Sequence, residues 1–100
     1  MYIYLIEKTI EFDKWLKKLK ARTARAKILF RLQRVESGNL GDIKPVSHGI
    51  TEMRIPHGKG YRIYYKIIEK RVVLLLIGGD KSTQEKDIEK AKKIWDNYQK

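Results

Sequence analysis

The sequence predicts an α+β domain of order β-α-α-β-β-β-α, a small, mostly antiparallel four-stranded sheet with an N-terminal helical hairpin and a C-terminal helix. Three observations lead there. Apolar residues recur at helical spacing over 12–19, 24–35 and 88–98. They alternate with polar residues over 50–55 and 61–68, the period of a strand. Residues 72–77 are apolar on both faces, as in a central strand covered on two sides.

Each element has its own signals. Tyr2, Ile3, Tyr4, Leu5 and Ile6 form a β-prone run, the first strand. Thr9 is placed to cap a helix, and Glu11 and Asp13 fall in its first turn, where carboxylates complement the helix dipole. Phe12, Trp15, Leu16 and Leu19 make the stripe of that helix, which ends near Lys20. A second helix follows at once. Ala24, Ile28, Leu32 and Val35 share one stripe, Lys27, Arg31 and Arg34 another, and Gly38 ends the helix in a left-handed conformation. So short a connection makes the two helices an antiparallel hairpin.

Residues 39–49 carry Gly41, Pro45 and Gly49 without periodicity and read as a loop. In the next strand, 50–55, Thr51, Met53 and Ile55 share one face and Glu52 and Arg54 the other. In 61–68, Tyr61, Ile63, Tyr65 and Ile67 oppose Arg62, Tyr64 and Lys66. Glu69-Lys70 is short enough for a hairpin connection to 72–77, although it lacks Asn-Gly chemistry. Ser82-Thr83-Gln84-Glu85 has the form of a capping box and opens the last helix. Ile88, Ala91, Trp95 and Tyr98 are its stripe, and Glu89 with Lys93 is a supportive i,i+4 pair.

Composition bounds the function. One hundred residues make one domain, 1–100, and 42% hydrophobic residues suffice for one core. Lys and Arg number 23 against 12 Asp and Glu, a net charge of +11 that attracts polyanions, nucleic acid first among them. Cysteine is absent, which excludes disulfides, thiolate zinc sites and cysteine nucleophiles and fits a reducing compartment. The first residues become charged too soon for a signal peptide, and no apolar run nears the ~20 residues that span a bilayer. The expectation is a soluble, cytoplasmic protein with no membrane partner, no cofactor and no metal. Gly58-Lys59-Gly60 lacks the remainder of a phosphate-binding P-loop and carries no weight alone.

The candidate chemistry lies on the strands. Arg54 and Arg62 both interrupt apolar alternation, so both point to one side of the sheet. Asp80 and Lys81 close the apolar run just before a helix start, where free amide groups, ammonium and guanidinium together would suit a phosphate. A solvated sheet face and a surface Asp80–Lys81 pair is the plainer reading. His57, in the turn next to Arg54 and Arg62, has the titration range of a general acid or base, as does His48 in the preceding loop. The stripe of Lys27, Arg31 and Arg34 is either a surface tracking an RNA backbone or an ordinary solvated helix face.

Several motifs then coincide. Gly41-Asp42-Ile43-Lys44-Pro45-Val46, Glu52-Met53-Arg54-Ile55, Gly60-Tyr61-Arg62-Ile63-Tyr64-Tyr65, and the run from Leu76-Ile77-Gly78-Gly79-Asp80-Lys81 through Ser82-Thr83-Gln84 to Asp87-Ile88 and Ala91 together resemble the RelE/HigB superfamily of bacterial toxins, closest to its HigB-type, phage-derived addiction module killer branch. The resemblance is weak before Leu40 and strong from there to Ala91. It implies a RelE-like fold and the toxin of a type II toxin–antitoxin system, a metal-independent, ribosome-dependent mRNA endoribonuclease. In that chemistry the 2′-hydroxyl attacks the adjacent phosphate and the 5′-oxygen leaves. The resemblance gives Arg62 the phosphate-stabilising position, Lys81 that of a second cation and Arg54 a cationic place on the preceding strand. Asp80 and His57 become the local candidates for proton transfer. Lys44, Lys59, Gln84, Arg31 and Arg34 are the expected RNA contacts. The partners implied are ribosome, mRNA and a net-acidic, HigA-like antitoxin, with a helix-turn-helix fold as one option. The sequence departs from the RelE pattern early in the last helix, where Asp87-Ile88 replaces a tyrosine; Tyr64 or Tyr98 would have to substitute. The same fold serves ParE-type gyrase poisons, and a non-catalytic basic RNA- or ribosome-binding module is the third reading.

Overall fold

Thr9 shows how local chemistry sets the chain's course. In the computed structural model, which describes residues 3–99, its hydroxyl accepts from the Phe12 amide at 3.0 Å and donates to the Leu76 carbonyl at 2.7 Å. One side chain therefore starts helix α1 (Ile10–Lys18) and pins it to the sheet. The strand before it, β1 (Leu5–Lys8), runs parallel to β5 (Val72–Asp80), with Leu5 opposite Val72 and Lys8 opposite Leu75. The expected first strand is thus shifted toward the C-terminus, because this pairing and the Thr9 cap fix its register; Tyr2 lies outside the described residues.

Helix α2 (Arg22–Glu36) ends as its glycine predicts. Gly38 has φ +95°, its amide donates to the Val35 carbonyl at 2.8 Å, and the Asn39 amide donates to the Arg34 carbonyl at 2.9 Å. This is the paired-bond helix stop that a left-handed residue permits. The next segment corrects the sequence reading. Inside the expected loop, β2 (Ile43–Pro45) pairs antiparallel with β3 (Thr51–Ile55), so among the described residues the sheet has five strands, not four, in the order β1-β5-β4-β3-β2. Proline is tolerated there because β2 is the outer strand, whose N–H groups need no second ladder. β3 pairs antiparallel with β4 (Tyr61–Ile68), and β4 with β5. The sheet is mostly antiparallel, with β1–β5 the parallel pair. Glu69 and Lys70 both take positive φ, 52° and 60°, giving the hairpin twist without the usual glycine.

The sheet separates two cores. Tyr61, Ile63, Tyr65, Val73 and Leu75 pack with Phe12, Leu16, Ile28, Leu32 and Val35 of α1 and α2. Tyr64, Leu74, Leu76 and Ile77 pack with Ala91 and Ile94 of α3 (Gln84–Tyr98) on the other face. Ile94 replaces Tyr98 in the α3 stripe, since Tyr98 is exposed. The supportive pair on α3 is Glu89 with Lys92 at 2.9 Å, one residue short of the expected Lys93. The start of α3 is also built differently. Asp80, not Ser82, caps a 3₁₀ turn (Lys81–Thr83), and its backbone N–H in turn donates to the Thr83 hydroxyl.

Candidate functional site

Register decides which side chains meet. Arg54 stands opposite Arg62, and Arg62 opposite Gly79. One row further along, Lys44 stands opposite Glu52 and Glu52 opposite Tyr64. Side chains opposite one another in antiparallel strands share a face, so Lys44, Glu52, Arg54, Arg62 and Tyr64 all project to the α3 side of the sheet. Gly79 lies on that face for a steric reason. A methyl group there would fall 1.8 Å from Asp87 Oδ2, so only glycine lets the first turns of α3 settle on β5.

Arg62 is the centre of the arrangement. Its side chain is 13% exposed, and its Nε lies 3.3 Å from Glu52 Oε1, an ionic contact outside aligned hydrogen-bond geometry. Nη1 donates to the Gly60 carbonyl at 3.3 Å. Gly60 is also where Lys81 arrives. A methyl on Gly60 would stand 3.4 Å from Lys81 Cβ and 3.6 Å from Arg62 Nη1, and the Lys81 amide donates to the Lys59 carbonyl at 3.3 Å. The Arg62 guanidinium and the Lys81 backbone therefore meet at one glycine, next to Lys59 in the chain, where β4 begins and β5 ends. Arg54 is in the next row, with Nη2 2.7 Å from Asp42 Oδ1, a hydrogen bond and ion pair that raises its already high pKa. Lys44 is exposed on β2.

The remaining expected site residues divide. Asp80 is at the cluster, but its carboxylate accepts from the Ser82 hydroxyl at 2.5 Å and the Ser82 amide at 2.8 Å. The Ser82 hydroxyl holds its pKa below the usual carboxylate range, with smaller help from the Ser82 amide and Lys59 and opposition from burial. That makes it a turn cap and a weak base. His57 lines a cleft with Lys27, Phe30 and Arg34 of α2, on the side of the sheet away from Arg62. His48, with φ +56°, offers its carbonyl to Lys66 Nζ at 3.2 Å. Gln84 turns inward, and its Nε2 donates to Glu52 Oε2 at 3.1 Å.

Arg31 corrects the expected helix stripe. It is buried, not solvated, and its guanidinium donates to the carbonyls of Leu40, Asp42 and Arg54. Burial lowers its pKa, with the Asp42 charge opposing. Lys27 and Arg34 remain exposed.

The tyrosines considered as substitutes are placed out of reach. Tyr64 is fully buried, and burial followed by the Glu52 charge raises its pKa far above any physiological pH. The Tyr98 hydroxyl donates to Glu7 Oε2 at 2.9 Å. Glu7 stands opposite Leu74, five residues before Gly79 along β5, which is roughly 16 Å of strand. Two residues that the sequence reading left without a role are Glu52, 2% exposed, and Asp87, whose carboxylate accepts from the Thr83 hydroxyl at 2.5 Å. Burial raises the pKa of Asp87. Glu52 was legible only through register, since it is the diagonal neighbour of Arg62 across β3 and β4. Among the described residues no group of three or more His, Cys, Asp or Glu could hold a metal ion, and no helix is long and apolar enough to cross a membrane.

Comparison with known proteins now adds to this geometry. The model of the family described as phage-derived protein Gp49-like matches residues 14–98. The chain belongs to that family. A protein of Haemophilus influenzae, described as uncharacterized, is 55% identical over 87 residues, which is 87% of this chain and 88% of that one. The fold is that of the RelE toxins. An arginine-to-alanine double mutant of Escherichia coli RelE in the free state aligns with TM-score 0.70 at 22% identity, covering 92% of this chain and 98% of that one. A chain of the Mycobacterium tuberculosis RelBE2 toxin–antitoxin complex aligns with TM-score 0.61 at 24% identity, covering 79% of this chain and 99% of that one. The Gp49-like match includes every residue of the cationic cluster, from Lys44 to Lys81.

Proposed function

We propose that this protein is the toxin of a type II toxin–antitoxin system, of HigB type, and acts as a metal-independent, ribosome-dependent mRNA endoribonuclease in the cytoplasm. The meeting of Arg62 and Lys81 at Gly60, beside Lys59, with Arg54 and Lys44 on the same face, carries the reading. The structural neighbours are toxins and toxin–antitoxin complexes by name, and the resemblance of the motifs extends over the same residues.

In this chemistry the O2′–P bond forms, the P–O5′ bond breaks, the 2′-hydroxyl loses its proton and the 5′-oxygen gains one. Negative charge grows on the phosphate oxygens. Preset cations aimed at it contribute about 10²–10³ in rate each. Arg62 offers its Nη edge to that phosphate, and Lys81, on an exposed turn beside it, supplies the second positive charge. Lys59 and Lys44 extend the field along the RNA backbone. His57 and Arg34 border a separate cleft, so their share in RNA binding comes from the α2 side. The partner that restrains the toxin is a net-acidic, HigA-like antitoxin, complementary to a chain of net charge +11.

The ion pair with Glu52 governs the choice of variant. Arg62→Ala strands a buried carboxylate, which costs about 3–5 kcal/mol and mixes folding with activity. Lys81→Ala, on an exposed residue, is the cleaner probe. Primer extension on cellular mRNA after induction should show new, codon-aligned 5′ ends for the wild type and a loss of about 10²-fold for Lys81→Ala. Inhibited supercoiling without such ends would instead identify a ParE-like gyrase poison. RNA bound with a steep salt dependence but left whole would identify a non-catalytic module.

A further inference from the structure

We propose that Glu52, held by Gln84, is a positioning residue that sets the orientation of the Arg62 guanidinium; the proposal rests on the cleavage reading above. Each carboxylate oxygen has one partner. Oε1 faces Arg62 Nε at 3.3 Å and Oε2 accepts from Gln84 Nε2 at 3.1 Å. The carboxylate is almost entirely out of water, with 3% of the side chain exposed, where an ionised group without compensation is costly. A pair buried this deeply is no simple gain in stability, since an apolar replacement of like volume is often as stable. Its geometric effect is direct. Glu52 takes the Nε edge of the guanidinium, which leaves the Nη edge toward Gly60 and Lys81.

Gln84 makes the orientation depend on the helix. It is the first residue of α3, and Glu52 is on β3, so the seating of the helix N-terminus on the sheet fixes the carboxylate that fixes the arginine. Gly79 permits that seating, because a side chain there would meet the Asp87 carboxylate and the Thr83 hydroxyl. Arginine alone has many rotamers. A guanidinium freed from Glu52 would sample orientations in which no N–H meets the scissile phosphate.

Single-turnover cleavage of mRNA on programmed ribosomes tests the proposal. Glu52→Gln should lower the rate about 10²-fold, the cost of displacing an aligned group by about 1 Å, while ribosome affinity stays within about twofold. In an Arg62→Gln background, adding Glu52→Gln should change the rate by less than about twofold, because Glu52 acts only through Arg62. Wild-type cleavage by Glu52→Gln overturns the proposal, and so does a second large loss on top of Arg62→Gln. Should Glu52→Gln fail to fold by circular dichroism, Gln84→Leu keeps the ion pair but releases the carboxylate. A loss of about tenfold then supports the proposal, and wild-type activity overturns it. If the wild type leaves mRNA whole, the functional reading fails separately, and the Arg62 Nε–H resonance of the free protein decides the positioning. A shift and faster solvent exchange in Glu52→Gln support it; an unchanged resonance overturns it.

Discussion

Replacing Arg31 by alanine should act on the stability of the fold, not first on RNA. The guanidinium makes four hydrogen bonds to backbone carbonyls, Nε and Nη2 to Leu40 at 3.2 and 3.0 Å, Nη2 to Asp42 at 2.9 Å and Nη1 to Arg54 at 2.7 Å. Charged hydrogen bonds of this kind contribute about 1.5–3 kcal/mol each when counted singly. The sum overstates the loss, since the Leu40 and Asp42 carbonyls belong to a surface segment that water can reach once the guanidinium is gone. Burial also disfavours the charge itself, which is why its pKa is lowered. A net loss of about 2–3 kcal/mol follows, within the 5–15 kcal/mol of a domain this size, so the variant stays folded in water. With a urea slope of about 1 kcal/mol per molar, the unfolding midpoint should fall by roughly 2–3 M. Arg31→Lys keeps the charge but cannot fork across three carbonyls, and should recover less than half of the loss. A midpoint for Arg31→Ala within about 0.5 M of wild type, together with weakened RNA binding, would refute the reasoning and return Arg31 to the surface stripe.

Two further outcomes test the frame of the site. Gly78→Ala places a methyl 2.3 Å from Trp15 Cε3 on the α1 side of β5, so overpacking should cost about 1–3 kcal/mol in urea denaturation. Asp87→Asn tests a pH dependence. A carboxyl whose folded pKa is raised by burial holds its proton more tightly in the folded state, so its contribution is complete below the unfolded pKa near 4 and is lost as pH rises through the folded value. Asp87→Asn should therefore have a higher Tm than wild type at pH 7, with the difference shrinking toward pH 4. Equal melting temperatures across that range would show that Asp87 is not held at a cost.

The helices and the three central strands were legible because their causes are local. Thr9 caps through its own hydroxyl, Gly38 stops α2 by adopting a positive φ, and 72–77 is apolar because helices cover both faces. β2 was not legible for the converse reason. Its three residues have no period of their own, and it is held by Arg31 from α2 and by the Arg54 amide, which donates to the Asp42 carbonyl at 2.9 Å. The 3₁₀ turn was missed because Asp80 and Ser82 both suit a cap, and only the extension of β5 to Asp80 decides between them. The candidate cluster was legible in its cations and not in its carboxylates. Alternation puts Arg54, Arg62 and Glu52 on one face, but whether Glu52 meets Arg62 depends on register, which the Pro56–Gly60 turn leaves open until the strands pair.

That missing carboxylate changes how the cationic cluster works. A site read from the sequence as a sum of positive charges would attract RNA and hold it by the same residues. In the structure the most buried of these cations is already paired, so Arg62 adds little to the long-range field, and on the proposal above the pairing gives it a fixed direction. On the proposed reading attraction falls to Lys44, Lys59 and Lys81, which are exposed and whose pull on a polyanion weakens with salt. On the same reading orientation falls to Arg62, whose partner is desolvated and screened little by ions. The two demands of the proposed reaction, collecting a flexible polyanion and presenting fixed donors to one phosphate, would then be met by different residues, with Lys81 and Arg62 both brought beside the side-chain-free Gly60.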